Sequence, residues 1–236
     1  MFHDRLPQAE RYAHLLATTG TVRGLIGPRE VPRLWTRHLL NCAVVAVGVP
    51  QATTVCDVGS GAGLPGLIWA LLRPDLQVTL VEPLLRRTAF LEEAVAELEL
   101  TDRVRVVRGR AEGLHRVEQF DVVTSRAVAP LGRLLDWSMP LVRPGGALLA
   151  LKGSSAADEL TAATEELARH GATGTSVLTF GADVLDPPTT VVRVEAGASS
   201  RLGWTPGGPT TSRRPDRRGT GRSSEPDGGR RRRRQR

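Results

Sequence analysis

The stretch Thr53-Thr54-Val55-Cys56-Asp57-Val58-Gly59-Ser60-Gly61-Ala62-Gly63-Leu64-Pro65-Gly66-Leu67-Ile68-Trp69-Ala70-Leu71-Leu72 decides the fold. Its β-branched opening predicts a strand over Thr53–Val58, its glycines a turn, and its apolar end a helix over Pro65–Leu72. Glycine allows positive φ and lets a ligand approach without meeting a Cβ. Pro65 suits a first helical turn, where its missing N–H costs nothing. Four glycines between Gly59 and Gly66 exceed what a bare strand-to-helix turn needs. The stretch therefore reads as the seat of a nucleotide-type cofactor.

Upstream, apolar spacing predicts a helix over Arg5–Thr18. Gly20, Gly24, Gly27 and Pro28 break it, and a second helix runs over Glu30–Val47. Its stripe is Val31, Leu34, Trp35, His38, Leu39, Cys42 and Val45, so His38 reads as a packing residue. Downstream, strands at Gln77–Val81, Arg103–Val107, Phe120–Thr124 and Ala147–Leu151 alternate with helices at Leu84–Leu98, Pro130–Leu141 and Ala156–Arg169. This alternation predicts a parallel sheet covered by helices on both faces. The last two strands, Thr175–Phe180 and Thr190–Glu195, are joined by Gly181–Pro188, which is too short for a helical crossover.

They should therefore pair antiparallel. The expected class is α/β, in the class I Rossmann-like methyltransferase arrangement: seven strands, mostly parallel, the last reversed, with helices in front. A dinucleotide dehydrogenase would continue as parallel βαβ units. The domains expected are a helical subdomain over 1–50, a methyltransferase domain over 51–196 and a tail over 197–236.

The net charge of +7 across 236 residues is unevenly spread. Residues 201–236 carry twelve arginines against Asp216, Glu225 and Asp227, a net of +9, leaving −2 for residues 1–200. The tail is Ser/Gly/Pro/Arg-rich and holds too little apolar surface to offset chain entropy, so disorder is expected there. It reads either as an arm adding salt-sensitive RNA affinity or as an inert extension. Cys42 and Cys56 fall inside predicted elements and suggest no bridge. With no secretory-type start and no membrane-length apolar run, the expectation is a cytoplasmic protein, monomeric, without metal.

In an open parallel sheet, ligands bind beyond the carboxyl ends of the strands. Candidate cofactor residues are thus Asp57, Gly59 and Gly61 after the first strand, Glu82 after the second, Ala111-Glu112 after the third and Arg126 after the fourth. Glu82 ends a strand where a carboxylate can accept both ribose hydroxyls. Two substrate chemistries are disfavoured. The Asp/Asn-Pro-Pro-Tyr block that grips an exocyclic amine is missing beyond the fourth strand, Asp186-Pro187-Pro188 lying instead between the last two strands. C5-pyrimidine chemistry needs a cysteine nucleophile, and Cys56 inside the first strand is poorly placed for one. A nucleophile with a free lone pair remains. The other readings are an NAD-dependent oxidoreductase, since Gly61–Gly66 formally matches G-x-G-x-x-G, and a non-catalytic RNA-binding protein on the same fold.

The chain resembles the bacterial small-subunit rRNA guanine-N7 methyltransferases of the glucose-inhibited-division-B family, of an actinobacterial kind. Four blocks carry the likeness: Arg37-His38-Leu39-Leu40-Asn41, the glycine stretch Asp57–Gly66, Ser125-Arg126-Ala127, and Leu149-Ala150-Leu151-Lys152-Gly153. Val81-Glu82-Pro83, Arg86-Arg87 and Phe90-Leu91 fit between them, and the likeness runs from about Arg5 to Gly197. It implies S-adenosylmethionine as cofactor, contacted at Gly59, Leu64, Ala111, Glu112 and Arg126. It also implies 16S rRNA or the small ribosomal subunit as partner, with a guanine N7 of the decoding-region loop as substrate. Arg86 stands where a lysine is common in the family, and the arginine-rich tail has no counterpart. No residue is assigned a proton-transfer role. Arg126 is expected to position by facing the cofactor's carboxylate or an RNA phosphate. Arg33, Arg37, Arg86, Arg87 and Lys152 are the candidate RNA contacts.

Overall fold

The computed structural model describes residues 1–197. The expectation for the arginine-rich tail lies outside those residues. A seven-stranded sheet is ordered β3-β2-β1-β4-β5-β7-β6. The strands are β1 (Thr54–Val58), β2 (Gln77–Glu82), β3 (Val104–Arg108), β4 (Phe120–Arg126), β5 (Val142–Lys152), β6 (Ala172–Phe180) and β7 (Thr189–Ala196). β1 to β5 run parallel, and β7 pairs antiparallel with both β5 and β6. The reversed last strand is therefore inserted between β5 and the edge strand β6. β1 and β2 are buried on both faces beyond their first residue, which is why they read as continuous rather than alternating apolar runs.

The helices are α1 (Leu6–Leu15), α2 (Leu40–Ala43), α3 (Gly66–Leu72), α4 (Leu85–Glu97), α5 (Leu131–Ser138), α6 (Ala156–Ala162) and α7 (Thr164–Arg169). One apolar cluster joins α1, the segment around α2, α3 and α4 to one face of the sheet; the other face carries α5, Ala156 and Ala163. Two fully buried aromatics tie the N-terminal helices to the glycine turn. The Tyr12 hydroxyl donates to the Ala62 carbonyl at 2.6 Å, and the Trp69 indole donates to the Cys42 carbonyl at 2.9 Å. Burying side chains of this size contributes about 2–3 kcal/mol each.

Three regions depart from the expected elements. The expected helix over Glu30–Val47 is a succession of a 3-10 turn (Pro28–Arg33), a π-helical turn (Leu34–Leu39), α2 and a second 3-10 turn (Val44–Gly48). Pro32 lies in the first of these and lacks the N–H that an α-helical ladder requires. The helix expected over Ala156–Arg169 is two short helices meeting at Ala163. Arg143-Pro144-Gly145-Gly146, expected to close a helix, lies within β5. There the register slips, Phe120 facing Val142 but Val122 facing Ala147. Gly145 has φ +75°, and a Cβ on Gly146 would stand 2.6 Å from the Asp121 carbonyl oxygen. These glycines shape an irregular strand, not a helix end.

Candidate active site

β1 and β4 are neighbours whose connections leave in opposite directions, and a cavity of about 610 Å³ opens beside their carboxyl ends. Open α/β sheets bind ligands at such a switch point. Gly59, Gly61 and Leu64 from the turn, Glu82 from β2, Arg87 from α4 and Arg126 from β4 all line it.

The turn is held by its own backbone. Gly59 and Ser60 N–H donate to the Val81 carbonyl, Gly63 and Leu64 N–H to the Ser60 carbonyl, and Leu67 N–H to the Gly63 carbonyl. Gly61 N–H donates to Glu82 Oε2 at 3.0 Å and Gly66 N–H to Asp57 Oδ2 at 2.9 Å. Pro65 has no N–H to give. These amides are spent within the turn and a carboxylate sits at the mouth of α3, which disfavours the grip on a dinucleotide's diphosphate that free N–H donors would give. Gly59 (φ +70°) and Gly63 (φ +94°) take conformations that only glycine adopts without strain. A Cβ on Gly63 would collide with Leu67 Cδ1 and stand 3.0 Å from the Tyr12 hydroxyl.

Glu82 is 1% exposed at the end of β2. Its Oε2 accepts from Gly61 N–H and its Oε1 from Leu84 N–H, while Arg87 Nη1 stands 3.6 Å from Oε2. Each carboxylate oxygen keeps a further lone pair, so the group can take two hydroxyl donors from the cavity side.

Asp57 lies beneath the turn with no exposed surface, and its Oδ1 has no partner. Burial pushes its carboxyl up to about 7, against the pull of the Gly66 N–H and the Arg126 charge. It supports the cradle without lining it.

Arg126 ends β4, next to Ser125, whose hydroxyl donates to the Val58 carbonyl at 2.8 Å and fixes β4 against β1. Ala127 follows at φ +55°, a left-handed conformation costing on the order of 1 kcal/mol for a non-glycine residue. Among the described residues no carboxylate pairs with the Arg126 guanidinium. Its partner is an imidazole: Arg126 Nη2 stands 3.1 Å from His38 Nδ1. On its other side, His38 Nε2 stands 3.1 Å from Glu30 Oε2. Glu30 and His38 both line the cavity. His38 on its apolar stripe was expected only to pack; the structure puts its ring at the cavity wall instead.

Ala111 and Glu112 sit apart, in a 3-10 turn after β3, Ala111 buried and Glu112 exposed. Of the candidate RNA contacts, Arg87 lines the cavity, and Arg33 and Arg86 are exposed outside it. Arg37 is exposed but pairs with Glu30 at 3.2 Å. Lys152 does not offer its charge to solvent as expected. Its side chain is 7% exposed, and the ammonium donates to the Ala129 carbonyl and to Glu159 Oε2, both at 2.7 Å. It ties the segment after β4 to α6.

The chain matches the family described as GidB, rRNA small subunit methyltransferase G, over residues 5–186. The chain belongs to this family. Proteins named ribosomal RNA small subunit methyltransferase G are 64% identical over 201 residues in a Nocardioides species and 60% over 200 residues in Streptomyces avermitilis. These alignments cover 85% and 84% of this chain, and 80% and 84% of the relatives. Solved structures of S-adenosylmethionine-dependent methyltransferases from Methanococcus maripaludis and Thermotoga maritima share the fold. Their TM-scores are 0.56 and 0.55 at 13% and 15% identity; both cover 72% of this chain, and 92% and 71% of their own. The protein is a methyltransferase of the family, and the two solved structures are described as dependent on S-adenosylmethionine.

The cavity's residues suit that cofactor. A buried carboxylate with open lone pairs answers ribose hydroxyls, an arginine without an acidic partner answers a carboxylate, and glycines let an adenosine lie against backbone. Among the described residues there is no cluster of His, Cys, Asp and Glu able to hold a metal ion, and no helix long and apolar enough to cross a membrane.

Proposed function

We propose that the protein methylates guanine N7 in the decoding-region loop of 16S rRNA, acting in the cytoplasm as a monomer on the RNA or the small ribosomal subunit. Glu82 would hold the ribose, Gly59, Gly61 and Leu64 the adenosine, and Arg126 the carboxylate of the cofactor or an RNA phosphate. Asp57 would brace the turn, with Ala111 and Glu112 beside the base. Residues 1–50 would work as a helical subdomain set before the sheet domain of 51–196. Exposed Arg33 and Arg86, with Arg87 at the rim, would meet phosphates. Arg37 would do so only by leaving Glu30.

The observation that supports the reading is that, among the described residues, the cavity offers no free imidazole, and its two carboxylates already have partners: Glu82 in backbone N–H groups and Arg87, Glu30 in His38 and Arg37. Bound S-adenosylmethionine supplies an electrophilic methyl group on sulfur. An amine or hydroxyl acceptor must shed a proton, whereas guanine N7 attacks with an in-plane lone pair and sheds none. His38, the one imidazole lining the cavity among the described residues, has both ring nitrogens engaged, by Glu30 and by Arg126. Cysteine-based chemistry is equally unsupported. Cys42 and Cys56 are fully buried, and burial pushes the Cys42 thiol up to about 11 and that of Cys56 higher. What is left for the chain is alignment, which in well-oriented systems is worth about 7–11 kcal/mol. N7 lies in a deep, narrow groove of A-form RNA, so a loop base is the accessible target.

Nucleoside mass spectrometry of 16S rRNA from cells with and without the protein tests the reading. Loss of one 7-methylguanosine is expected; unchanged 16S rRNA would refute it.

A further inference from the structure

We propose that His38, held by Glu30 as the neutral Nε2–H tautomer, is the positioning residue that aims the Arg126 guanidinium at an oxyanion in the cavity. The inference rests on the reading of this cavity as the cofactor and substrate site, and goes beyond it by assigning a role to residues of the N-terminal segment.

Proton bookkeeping carries the argument. A guanidinium only donates hydrogen bonds and stays charged throughout the working pH range. His38 Nδ1, 3.1 Å from Arg126 Nη2, must therefore present its lone pair. An ionised carboxylate only accepts, and hydrogen bonding to His38 together with the Arg37 charge keeps Glu30 below the usual carboxylate range. His38 Nε2, 3.1 Å from Glu30 Oε2, must therefore carry the proton. Both neighbours select one tautomer of the uncharged ring. A proton added at Nδ1 would remove the acceptor and set two like charges 3.1 Å apart.

Arg126 needs such a partner. Ser125 fixes the β4 backbone and Ala127 fixes the turn after it, but neither constrains the long arginine side chain. Nor does any acidic group of the described residues pair with it. An imidazole acceptor orients the guanidinium without neutralising it, so the full positive charge stays available to a ligand. A carboxylate in place of His38 would consume that charge.

Several charged groups face His38. Glu30 comes from the 3-10 turn, where the Arg33 charge acts on it, Arg37 from the π-helical turn of His38 itself, and Arg126 from β4. Glu82 and Arg87 stand on other walls of the same cavity. Burial and the Arg126 charge hold the imidazole below its usual range, with Glu30 pulling the other way. Neutral His38 thus dominates at pH 7 and above, and the ring protonates only below the usual histidine range.

The first test needs no variant: two-dimensional 1H–15N NMR of the imidazoles in the ligand-free protein, titrated from pH 8 to 5. The expected signal for His38 is an Nε2–H tautomer at pH 8 that titrates below 6.5. An Nδ1–H tautomer, or titration above 6.5, overturns the proposal. Glu30→Gln, which removes the charge favouring the imidazolium, should move that titration to lower pH.

The second test follows S-adenosylhomocysteine affinity against pH in wild type, His38→Ala and His38→Asn, with thermal melts to verify folding. The Asn side-chain oxygen can take the place of Nδ1 and accepts at every pH. Wild-type affinity should be flat above pH 7 and fall towards about tenfold per pH unit in acid. His38→Ala should lose about tenfold or more at pH 8, whereas His38→Asn should recover most of this and lack the acid limb. Equal losses in the two variants, or a wild-type acid limb in His38→Asn, overturn the assignment.

5′-Methylthioadenosine, which lacks the amino-acid end, and a 16S rRNA fragment identify the oxyanion. If the His38→Ala loss vanishes with methylthioadenosine, the anion is the cofactor carboxylate; if it appears in RNA affinity instead, it is a phosphate. If neither ligand distinguishes His38→Ala from wild type, the positioning role is refuted. None of these readouts depends on which base is methylated, so the inference and the N7 reading fail separately.

Discussion

Asp57→Asn should flatten the pH dependence of stability between pH 5 and 8. The Asp57 side chain has no exposed surface, its Oδ1 is unpartnered, and its single close donor is Gly66 N–H. Burial, reinforced by the Glu82 charge, raises its carboxyl from 3.8 to about 7, while Gly66 N–H, Arg126 and Ser60 oppose the rise. Between those two values the native protein holds a proton that the unfolded chain has released. The slope of unfolding free energy with pH follows protons bound by the unfolded minus the native state, so here stability falls as pH rises. Two pH units of this window lie between pH 5 and 7, which at about 1.4 kcal/mol per unit amounts to about 3 kcal/mol lost by pH 8.

Asparagine keeps an acceptor for Gly66 N–H and cannot ionise. Urea unfolding of both proteins at pH 5, 6, 7 and 8 reads the difference directly. His38 works in the opposite sense, its depressed native value adding stability as pH rises towards 6.5, but both proteins share it. Asp75, Glu30 and Glu159 have lowered carboxyls. Their contribution is present above the unfolded carboxylate range and lost below it, mostly outside the window. Parallel stability profiles for the two proteins would refute the reasoning, because they would mean that Asp57 is not held protonated by burial.

Glu82→Gln replaces one of two acceptor oxygens with a donor facing Gly61 N–H or Leu84 N–H, and removes the charge offered to ribose hydroxyls. S-adenosylhomocysteine affinity by isothermal titration should fall by about 10- to 100-fold, the equivalent of one charge-assisted hydrogen bond; a change within twofold would count against the ribose role. Gly63→Ala forces a Cβ onto Leu67 at φ +94° and should destabilise the fold by about 2–4 kcal/mol through overpacking and backbone strain. Gly113→Ala, where a Cβ meets nothing within 4 Å, should shift the melting temperature little. Equal melts for the two variants would contradict the close-packed turn.

The sheet was legible because its signals are local. Thr54–Val58 and Gln77–Glu82 are apolar runs bounded by turn residues, and the eight-residue link Gly181–Pro188 left the last strand no route but back along its neighbour. Gly145 and Gly146 misled for a related reason. Two glycines after a proline signal a turn, yet their freedom is used here to bend β5 past the Asp121 carbonyl. Lys152 shows a different limit. It is a candidate RNA contact by sequence, but the carboxylate seven residues on, Glu159, folds back over it. A Lys and a Glu at that spacing across a strand-to-helix turn are a signal the sequence carried.

The link between Glu30, His38 and Arg126 was not legible, and the reason is geometric. A regular helix over Glu30–Val47 would repeat every 3.6 residues and set His38 on the stripe with Leu34 and Trp35. The chain instead winds from a 3-10 turn into a π-helical turn between Pro28 and Leu39, changing the rotation per residue within twelve residues. That irregularity brings the side chains at 30 and 38 together although eight residues separate them, and aims the imidazole at a strand end 88 residues away. A regular helix here would be easier to form, yet its ladder would be broken at Pro32 in any case. The family block Arg37-His38-Leu39-Leu40-Asn41 gains a division of labour from this geometry. Leu39 packs in the core, Asn41 accepts from Thr189 of β7 through its side-chain oxygen at 2.7 Å, and His38 alone turns to the cavity. The neighbours of His38 anchor the segment, so the ring that meets Arg126 is held from both sides.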